Sequence, residues 1–139
     1  MSGKYFIDSN IIVYAHDIDK ERREIAEQDI INGAISGNAV ISAQVLSEFF
    51  VTVTQKIKEP LTLHKAEAEV GLLSRLEVIS LDFFLVQQAI QLQRKHRLSY
   101  WDSLILACAI KGGCAEIHSE DFTHGRRYEG VLARNIFLK

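Results

Sequence analysis

The sequence is poor in the residues that cross-link, stiffen or interrupt a chain. Its 139 residues include two cysteines, one proline and eight glycines. So few prolines and glycines exclude a collagen-like or low-complexity chain. Cys108 and Cys114 provide neither a disulfide framework nor paired metal-ligand spacing, so we expect reduced thiols. The length predicts a single domain, residues 1–139, whose core needs no cross-link.

Long apolar segments are also missing. The longest, Leu104 to Ile110, is far shorter than the ~20 residues that span a bilayer. The N-terminus runs from Met1-Ser2-Gly3-Lys4 into a short apolar segment and has no secretory signal. We therefore expect a cytoplasmic protein without a membrane partner.

The charge is nearly balanced, with a formal net charge of −2. This is mild evidence against a nucleic-acid partner, because nonspecific binding to phosphates favours a basic surface. It is not decisive, since divalent cations bound at an acidic site would reverse the local field.

Short apolar segments alternate with longer helical ones along the whole chain. The predicted strands are Tyr5–Ile7, Ala39–Ile41, Val78–Ile79, Glu116–His118 and Ile136–Leu138. The predicted helices cover residues 10–16, 20–36, 43–53, 63–75, 83–93 and 100–111. The third, fourth and fifth of them are capped by Ser42, Thr62 and Asp82. This alternation predicts βαβ units and a parallel sheet with helices on both faces.

Four acidic residues are predicted to meet at one edge of this sheet. Asp8 immediately follows the first strand, and Glu48 lies within two turns of the end of the second. Asp121 comes three residues after the strand Glu116–His118. All three lie beyond carboxyl ends of strands, where open parallel sheets bind ligands. Asp102 reaches the same edge because a helix that enters a parallel strand begins at the carboxyl edge.

Such a cluster predicts a divalent metal site. Four carboxylates at one place repel each other unless cations compensate them. Hard oxygen ligands suit Mg²⁺ or Mn²⁺. Ions of this kind activate water and stabilise charge on a phosphate group.

Each acid also has a simpler interpretation. Asp8 could cap the following helix, and Glu48 could be a solvated residue on an amphipathic helix. Ser99 and Asp102 match a capping box, which is compatible with metal binding. The pair Glu120-Asp121 could be an acidic loop.

Four segments carry these acids, and together they resemble the motifs of PIN-domain nucleases. The segments are Phe6–Asn10, Leu46–Phe49, Ser99–Ile105 and Ser119–Phe122. The likeness is greatest to the VapC-like toxins of bacterial and archaeal toxin–antitoxin pairs. It covers nearly the whole chain, with the motifs in the family's order.

The resemblance implies a Mg²⁺- or Mn²⁺-dependent endoribonuclease. It implies a three-layer α/β fold, with a short, mostly parallel sheet of four to five strands and helices on both faces. It also implies homodimers and a small inhibitory antitoxin. In this chain the metal-binding catalytic acids would be Asp8, Glu48, Asp102 and Asp121, supported by the small polar residues Asn10 and Ser119.

Several other residues have two interpretations. Arg126 and Arg127, shortly after Asp121, are candidates for RNA contact. The basic run Arg94–Arg97 is expected to be a solvated helix end, with phosphate steering as the alternative. Tyr100 and Trp101 flank Asp102; core packing is the prediction and base stacking the alternative.

Three functions are therefore weighed. The first is hydrolysis of RNA phosphodiesters by a metal-activated water. The second is a non-catalytic PIN-like module that binds RNA or protein, although such a module has no need of four repelling acids. The third is a structure-specific DNA nuclease, which ranks lower because the short chain leaves no room for an added helical arch.

Overall fold

The fold places six helices around one central sheet. A computed structural model describes residues 3–138, and Met1, Ser2 and Lys139 lie outside the described residues. Met1 and Ser2 belong to the N-terminal segment in which we predicted no secretory signal. The strands are β1 (Tyr5–Ile7), β2 (Ala39–Ser42), β3 (Glu77–Ile79), β4 (Glu116–His118), β5 (Arg127–Tyr128) and β6 (Val131–Arg134). The helices are α1 (Ser9–Tyr14), α2 (Lys20–Ser36), α3 (Ala43–Gln55), α4 (Leu63–Leu73), α5 (Phe83–His96) and α6 (Tyr100–Lys111).

The sheet is parallel except at one end. Its strand order is β3-β2-β1-β4-β6-β5, and only the β5–β6 pair is antiparallel. The order reverses at β1, which lies between β2 and β4. The three-layer α/β prediction is thus confirmed, with six strands instead of the four to five expected.

The core is densest around β1 and α6. Phe6 and Ile7 of β1 have no solvent-exposed surface. Residues 103–109 of α6 are all buried, as expected for a helix that is apolar on every side. This burial rigidly fixes the start of α6, and with it Asp102, relative to the sheet.

The predicted helix caps are confirmed. The hydroxyl of Ser42 accepts from the N–H of Val45, and Thr62 and Asp82 cap α4 and α5 in the same way. Each such cap stabilises a helix by about 1 kcal/mol.

The predicted last strand, Ile136–Leu138, is wrong. The strand lies earlier, at Val131–Arg134, and pairs with Arg127–Tyr128 in a hairpin. Glu129 and Gly130 form its two-residue turn, with φ angles of 53° and 85°, the pattern of a type I′ turn. Residues 136–138 instead form a turn held by Asn135: its side-chain oxygen accepts from the N–H of Phe137 at 3.0 Å, and its carbonyl from that of Leu138 at 3.2 Å.

Both cysteines are free and buried. Burial raises the pKa of Cys108 to about 11 and that of Cys114 to about 12, so neither thiol is reactive. No helix within residues 3–138 is long and apolar enough to cross a membrane.

Two helical glycines predict opposite stability effects. A Cβ built on Gly33 of α2 collides with the Cβ of Ala39 and stands 2.6 Å from the Tyr5 hydroxyl oxygen, whereas nothing lies within 4 Å of one built on Gly71 of α4. We expect Gly33→Ala to destabilise the protein by about 1–3 kcal/mol through overpacking. The matched change Gly71→Ala should stabilise it by about 0.5–1 kcal/mol. Urea unfolding measures both, and shifts of the same sign would contradict the close packing of α2 on the sheet.

Candidate active site

Asp8 occupies the end of the central strand and is almost fully buried. It is the N-cap of α1, and its Oδ1 accepts from the N–H of Ser9 at 2.7 Å. Its Oδ2 accepts from the Ser119 hydroxyl, also at 2.7 Å. Asp8 as a whole is 3% exposed. The capping interpretation of Asp8 is therefore correct, and it leaves the carboxyl group at the predicted edge.

The environment of Asp8 resists a negative charge. Burial raises the pKa of Asp8 to about 7, and the charges of Asp121 and Glu48 add to the increase. The hydrogen bonds from Ser119 and Ser9 act in the opposite direction. The negative charges of two other predicted acids therefore act on Asp8.

Glu48 is held from both sides on α3. Its Oε1 accepts from the Ser9 hydroxyl at 2.9 Å, and its Oε2 accepts from the Gln44 amide at 3.0 Å. The same amide donates to the carbonyl oxygen of Trp101 at 3.2 Å. Gln44 therefore ties Glu48 to the first turn of α6.

Gln44 was not among the site residues predicted from the sequence. The side chain is 6% exposed, and its Oε1 is buried without a hydrogen-bond partner among the described residues. A buried unsatisfied acceptor costs about 1–3 kcal/mol. Its only sequence signal is a polar residue one helical turn before Glu48 in a largely apolar helix.

Asp102 lies in the first turn of α6, as the antiparallel-helix prediction requires. The Ser99 hydroxyl accepts from the N–H of Asp102 at 3.1 Å, so the capping interpretation also applies. Burial raises the pKa of the Asp102 carboxyl, and the negative charges of Asp121 and Glu48 raise it further. The four acids therefore act on one another across three helices and a loop.

Asp121, not Glu120, faces the other acids. The Asn10 amide donates to Asp121 Oδ2 at 3.1 Å, and the Ser119 hydroxyl oxygen accepts from the N–H of Asp121 at 3.0 Å. Asp121 is also the neighbour whose charge acts on Asp8 and Asp102. Asn10 and Ser119 thus contact the acids they were predicted to support.

Glu120 is occupied elsewhere. The Tyr14 hydroxyl donates to its Oε1 at 2.8 Å, and Arg22 pairs with its Oε2 at 3.0 Å. The guanidinium carbon of Arg22 stands 5.0 Å from the Tyr14 ring centre and 5.3 Å from that of Phe137. Glu120 therefore fixes the loop that carries Asp121, and its own charge is neutralised.

The four acids are suitable in ligand type for a hard divalent cation. Within residues 3–138, none of the four acids forms an ion pair with Lys, Arg or His. Their negative charges are uncompensated, and carboxylate oxygens are the ligands that Mg²⁺ and Mn²⁺ prefer. In the same part of the chain, however, no three His, Cys, Asp or Glu side chains are grouped closely enough to hold an ion as they stand. Ligation by three or more of them would require side-chain rotation.

The order of these elements agrees with a known family. Residues 5–129 match the profile of the PIN domain. The chain belongs to the PIN domain family. No curated protein sequence matches the chain significantly.

Solved structures share the fold of this PIN domain. They include VapC20 from Mycobacterium tuberculosis, described as a sarcin-ricin loop cleaving toxin, with 17% identity over 85% of this chain and 90% of that one and a TM-score of 0.64. DNA-bound VapBC from Salmonella typhimurium has 19% identity over 95% and 97% of the two chains and a TM-score of 0.68. FitAcB from Neisseria gonorrhoeae has 15% identity over 96% and 98%, with a TM-score of 0.64. At these identities the likeness concerns the fold.

Within residues 3–138, Arg126 and Arg127 form no ion pair with the four acids. Arg126 packs over the Tyr128 ring at 4.9 Å, and Arg127 donates to the Gly130 carbonyl at 3.4 Å. Both are exposed. Their contact with RNA therefore remains a prediction. In the run Arg94–Arg97, Lys95 and His96 both contact Glu129 at 2.8 Å.

The core-packing prediction for Trp101 is wrong. Trp101 is 61% exposed. It contacts Tyr100 edge-to-face, with ring centres 5.1 Å apart. Because residue 101 lies in the first turn of α6, it precedes the part of the helix that the sheet and α5 cover.

Proposed function

We propose that this PIN domain is an endoribonuclease that depends on Mg²⁺ or Mn²⁺ and hydrolyses RNA phosphodiester bonds at Asp8, Glu48, Asp102 and Asp121. The observation that supports this most strongly is that the charges of four acids act on one another at the carboxyl edge of a parallel sheet, with no compensating ion pair within residues 3–138. A binding module would gain nothing from such repulsion.

The chain's own residues would prepare the site. Ser119 and Ser9 hold the Asp8 carboxylate, and Ser9 and Gln44 hold that of Glu48. These hydrogen bonds orient the two carboxylates, and ligation by three or more acids would still require side-chain rotation. A bound divalent ion would lower the pKa of a water and stabilise charge on the phosphate. Hydrolysis would leave a 5′-phosphate and a 3′-hydroxyl.

The structural neighbours support the proposal of a toxin role. Several are toxins or toxin–antitoxin complexes, including one from Klebsiella pneumoniae with 20% identity and a TM-score of 0.66. We propose that this protein is likewise the cytoplasmic toxin of such a pair, a homodimer inhibited by a small antitoxin. The genetic observation that tests the pairing is a small neighbouring reading frame with a DNA-binding N-terminus.

Metal removal tests the nuclease proposal. Purified protein is incubated with an RNA pool in Mn²⁺ or Mg²⁺, with EDTA, and with EDTA followed by excess metal. We expect cleavage to stop with EDTA and to return with the metal, because the acids supply ligands and not the nucleophile. The charge-matched control Glu59→Gln, at an exposed position, should cleave as the parent does.

Other results would redirect the proposal. Cleavage that survives EDTA would contradict metal dependence. Metal binding without cleavage of any RNA would support the non-catalytic module. Cleavage of flap DNA but not of RNA would support the structure-specific DNA nuclease.

A further inference from the structure

Trp101 combines a fixed backbone with an exposed ring. It is the only tryptophan of the chain, and it directly precedes Asp102. Gln44 donates to the Trp101 carbonyl at 3.2 Å and to Glu48 at 3.0 Å. The backbone of Trp101 is therefore fixed to the acidic site, while the residue is 61% exposed.

We propose that Trp101 is a stacking platform for an unpaired base of single-stranded RNA, close to the phosphate that is cleaved. The inference rests on the proposed function, and it identifies the substrate as RNA whose bases are unstacked at the site. Aromatic faces bind bases of any sequence, so the platform would favour single-stranded over paired RNA.

Charge explains why the site would need such a contact. The net charge is −2, and the four acids have no compensating ion pairs within residues 3–138. Apart from the contribution of bound divalent cations, the electrostatic attraction that usually dominates binding to phosphates is therefore weak. Stacking depends little on charge and contributes about 1–3 kcal/mol per base. Tyr100, packed edge-to-face at 5.1 Å, restricts the orientations of the Trp101 ring.

Steady-state kinetics separates the platform from the reacting groups. We expect Trp101→Ala to raise KM for a single-stranded RNA by about 5- to 150-fold, the equivalent of about 1–3 kcal/mol, with kcat within about twofold. Trp101→Phe, which keeps an aromatic face, should recover most of the loss. The matched control is Phe83→Ala, which removes an aromatic ring that is 74% exposed on α5, and it should leave KM unchanged.

Salt dependence adds a second signature. The slope of log KM against log salt should be the same in Trp101→Ala as in the parent, because stacking releases no counterions. Replacing Arg126, if it contacts phosphate, should change that slope. A large fall in kcat, equal losses in the Ala and Phe variants, or a changed slope in Trp101→Ala would overturn the platform.

Fluorescence tests the contact without requiring cleavage. All tryptophan emission comes from Trp101, so single-stranded RNA added in EDTA should quench it, and an abasic oligomer of the same length should not. Emission that changes with protein concentration but not on addition of RNA would instead indicate that Trp101 lies in a protein interface, and would overturn the proposal. If the parent cleaves no RNA, the proposed function fails, and quenching still decides whether a base stacks on Trp101.

Discussion

Asp8→Asn is expected to lose RNA cleavage while becoming more stable. Asp8 is the most central of the four acids, and its carboxyl group would be a direct metal ligand. Replacing residues that merely support metal ligands costs about 10- to 100-fold in activity or metal affinity, so loss of the ligand itself should reduce kcat/KM by more than about a hundredfold. The assay is cleavage of single-stranded RNA in Mn²⁺, with Glu59→Gln as the charge-matched control.

The gain in stability follows from burial. The Asp8 side chain is 3% exposed and burial raises its pKa to about 7, so ionisation at pH 8 costs up to about 4 kcal/mol relative to the unfolded chain. Asn removes that cost. It also presents an amide to Ser119, which now donates to the carboxylate, so we expect a net gain of about 1–2 kcal/mol.

Urea unfolding in EDTA at pH 8 measures this gain. A variant that is inactive and less stable than the parent would contradict the expected gain. It would show that the hydrogen bonds of Asp8 stabilise the folded state by more than the burial of its charge destabilises it. A variant that still cleaves RNA would remove Asp8 from the catalytic set.

Most of the site could be predicted because it follows from topology. Asp8, Glu48 and Asp121 follow strand ends, and parallel pairing brings those ends to one edge. Asp102 required one more step, the direction of the helix that enters β4. Neither inference needed a side-chain contact, so short strands and clear helix caps were sufficient.

Tertiary structure explains why Asp121, the acid chosen from the sequence, faces the site and Glu120 does not. Two adjacent acids on a loop are equivalent in sequence. They differ because Tyr14 and Arg22, about a hundred residues earlier, donate hydrogen bonds to the Glu120 carboxylate. Gln44 escaped prediction for a related reason: its role depends on a contact with Trp101 on another helix.

The C-terminal hairpin escaped prediction because its sequence signals are weak. Its turn is Glu129-Gly130, with a glutamate at a left-handed position where Asn or Asp is usual. One of its strands has only two residues. By contrast, Ile136–Leu138 is continuously apolar and looked more like a strand. Its Phe137 ring instead packs on Tyr14, with the ring centres 4.8 Å apart.

Trp101 shows the limit of composition as a guide to burial. The helix that contains it is apolar on nearly every side, which predicts burial of the whole segment. Burial begins only at Ser103, because the first turn extends past the covering elements. An exposed tryptophan beside acids was visible only in three dimensions.

Asp8 is expected to lower the stability of the parent protein as the pH rises from about 4 to about 7. Asp8 has a folded pKa of about 7, above its unfolded value of 3.8. Between those values the folded state binds a proton that the unfolded state has lost, so raising the pH favours unfolding. Below about pH 4 Asp8 is protonated in both states, and its contribution to the free energy of unfolding is fully present. Above about pH 7 that contribution is lost. Asp102, whose pKa is also raised by burial, acts in the same direction.

Other carboxyl groups act in the opposite direction, so the difference from Asp8→Asn is the informative quantity. Despite partial burial, the pKa of Glu116 is lowered by its hydrogen bond with His118, and that of Glu129 is lowered by the one from Lys95. Both contributions are present in parent and variant and cancel in the difference. In EDTA, the stability of Asp8→Asn relative to the parent should rise by about 3 kcal/mol between about pH 5 and about pH 8.

Magnesium should reverse this trend in the parent alone. An ion that binds the ionised site stabilises the folded state by about 2.7 kcal/mol at a hundred times its Kd. The parent should therefore gain stability with Mg²⁺ at about pH 8 and little at about pH 5, where Asp8 is protonated. Asp8→Asn should gain much less at either pH. A pH-independent difference in EDTA would contradict the raised pKa of Asp8. Equal gains from Mg²⁺ in both proteins would place the ion elsewhere.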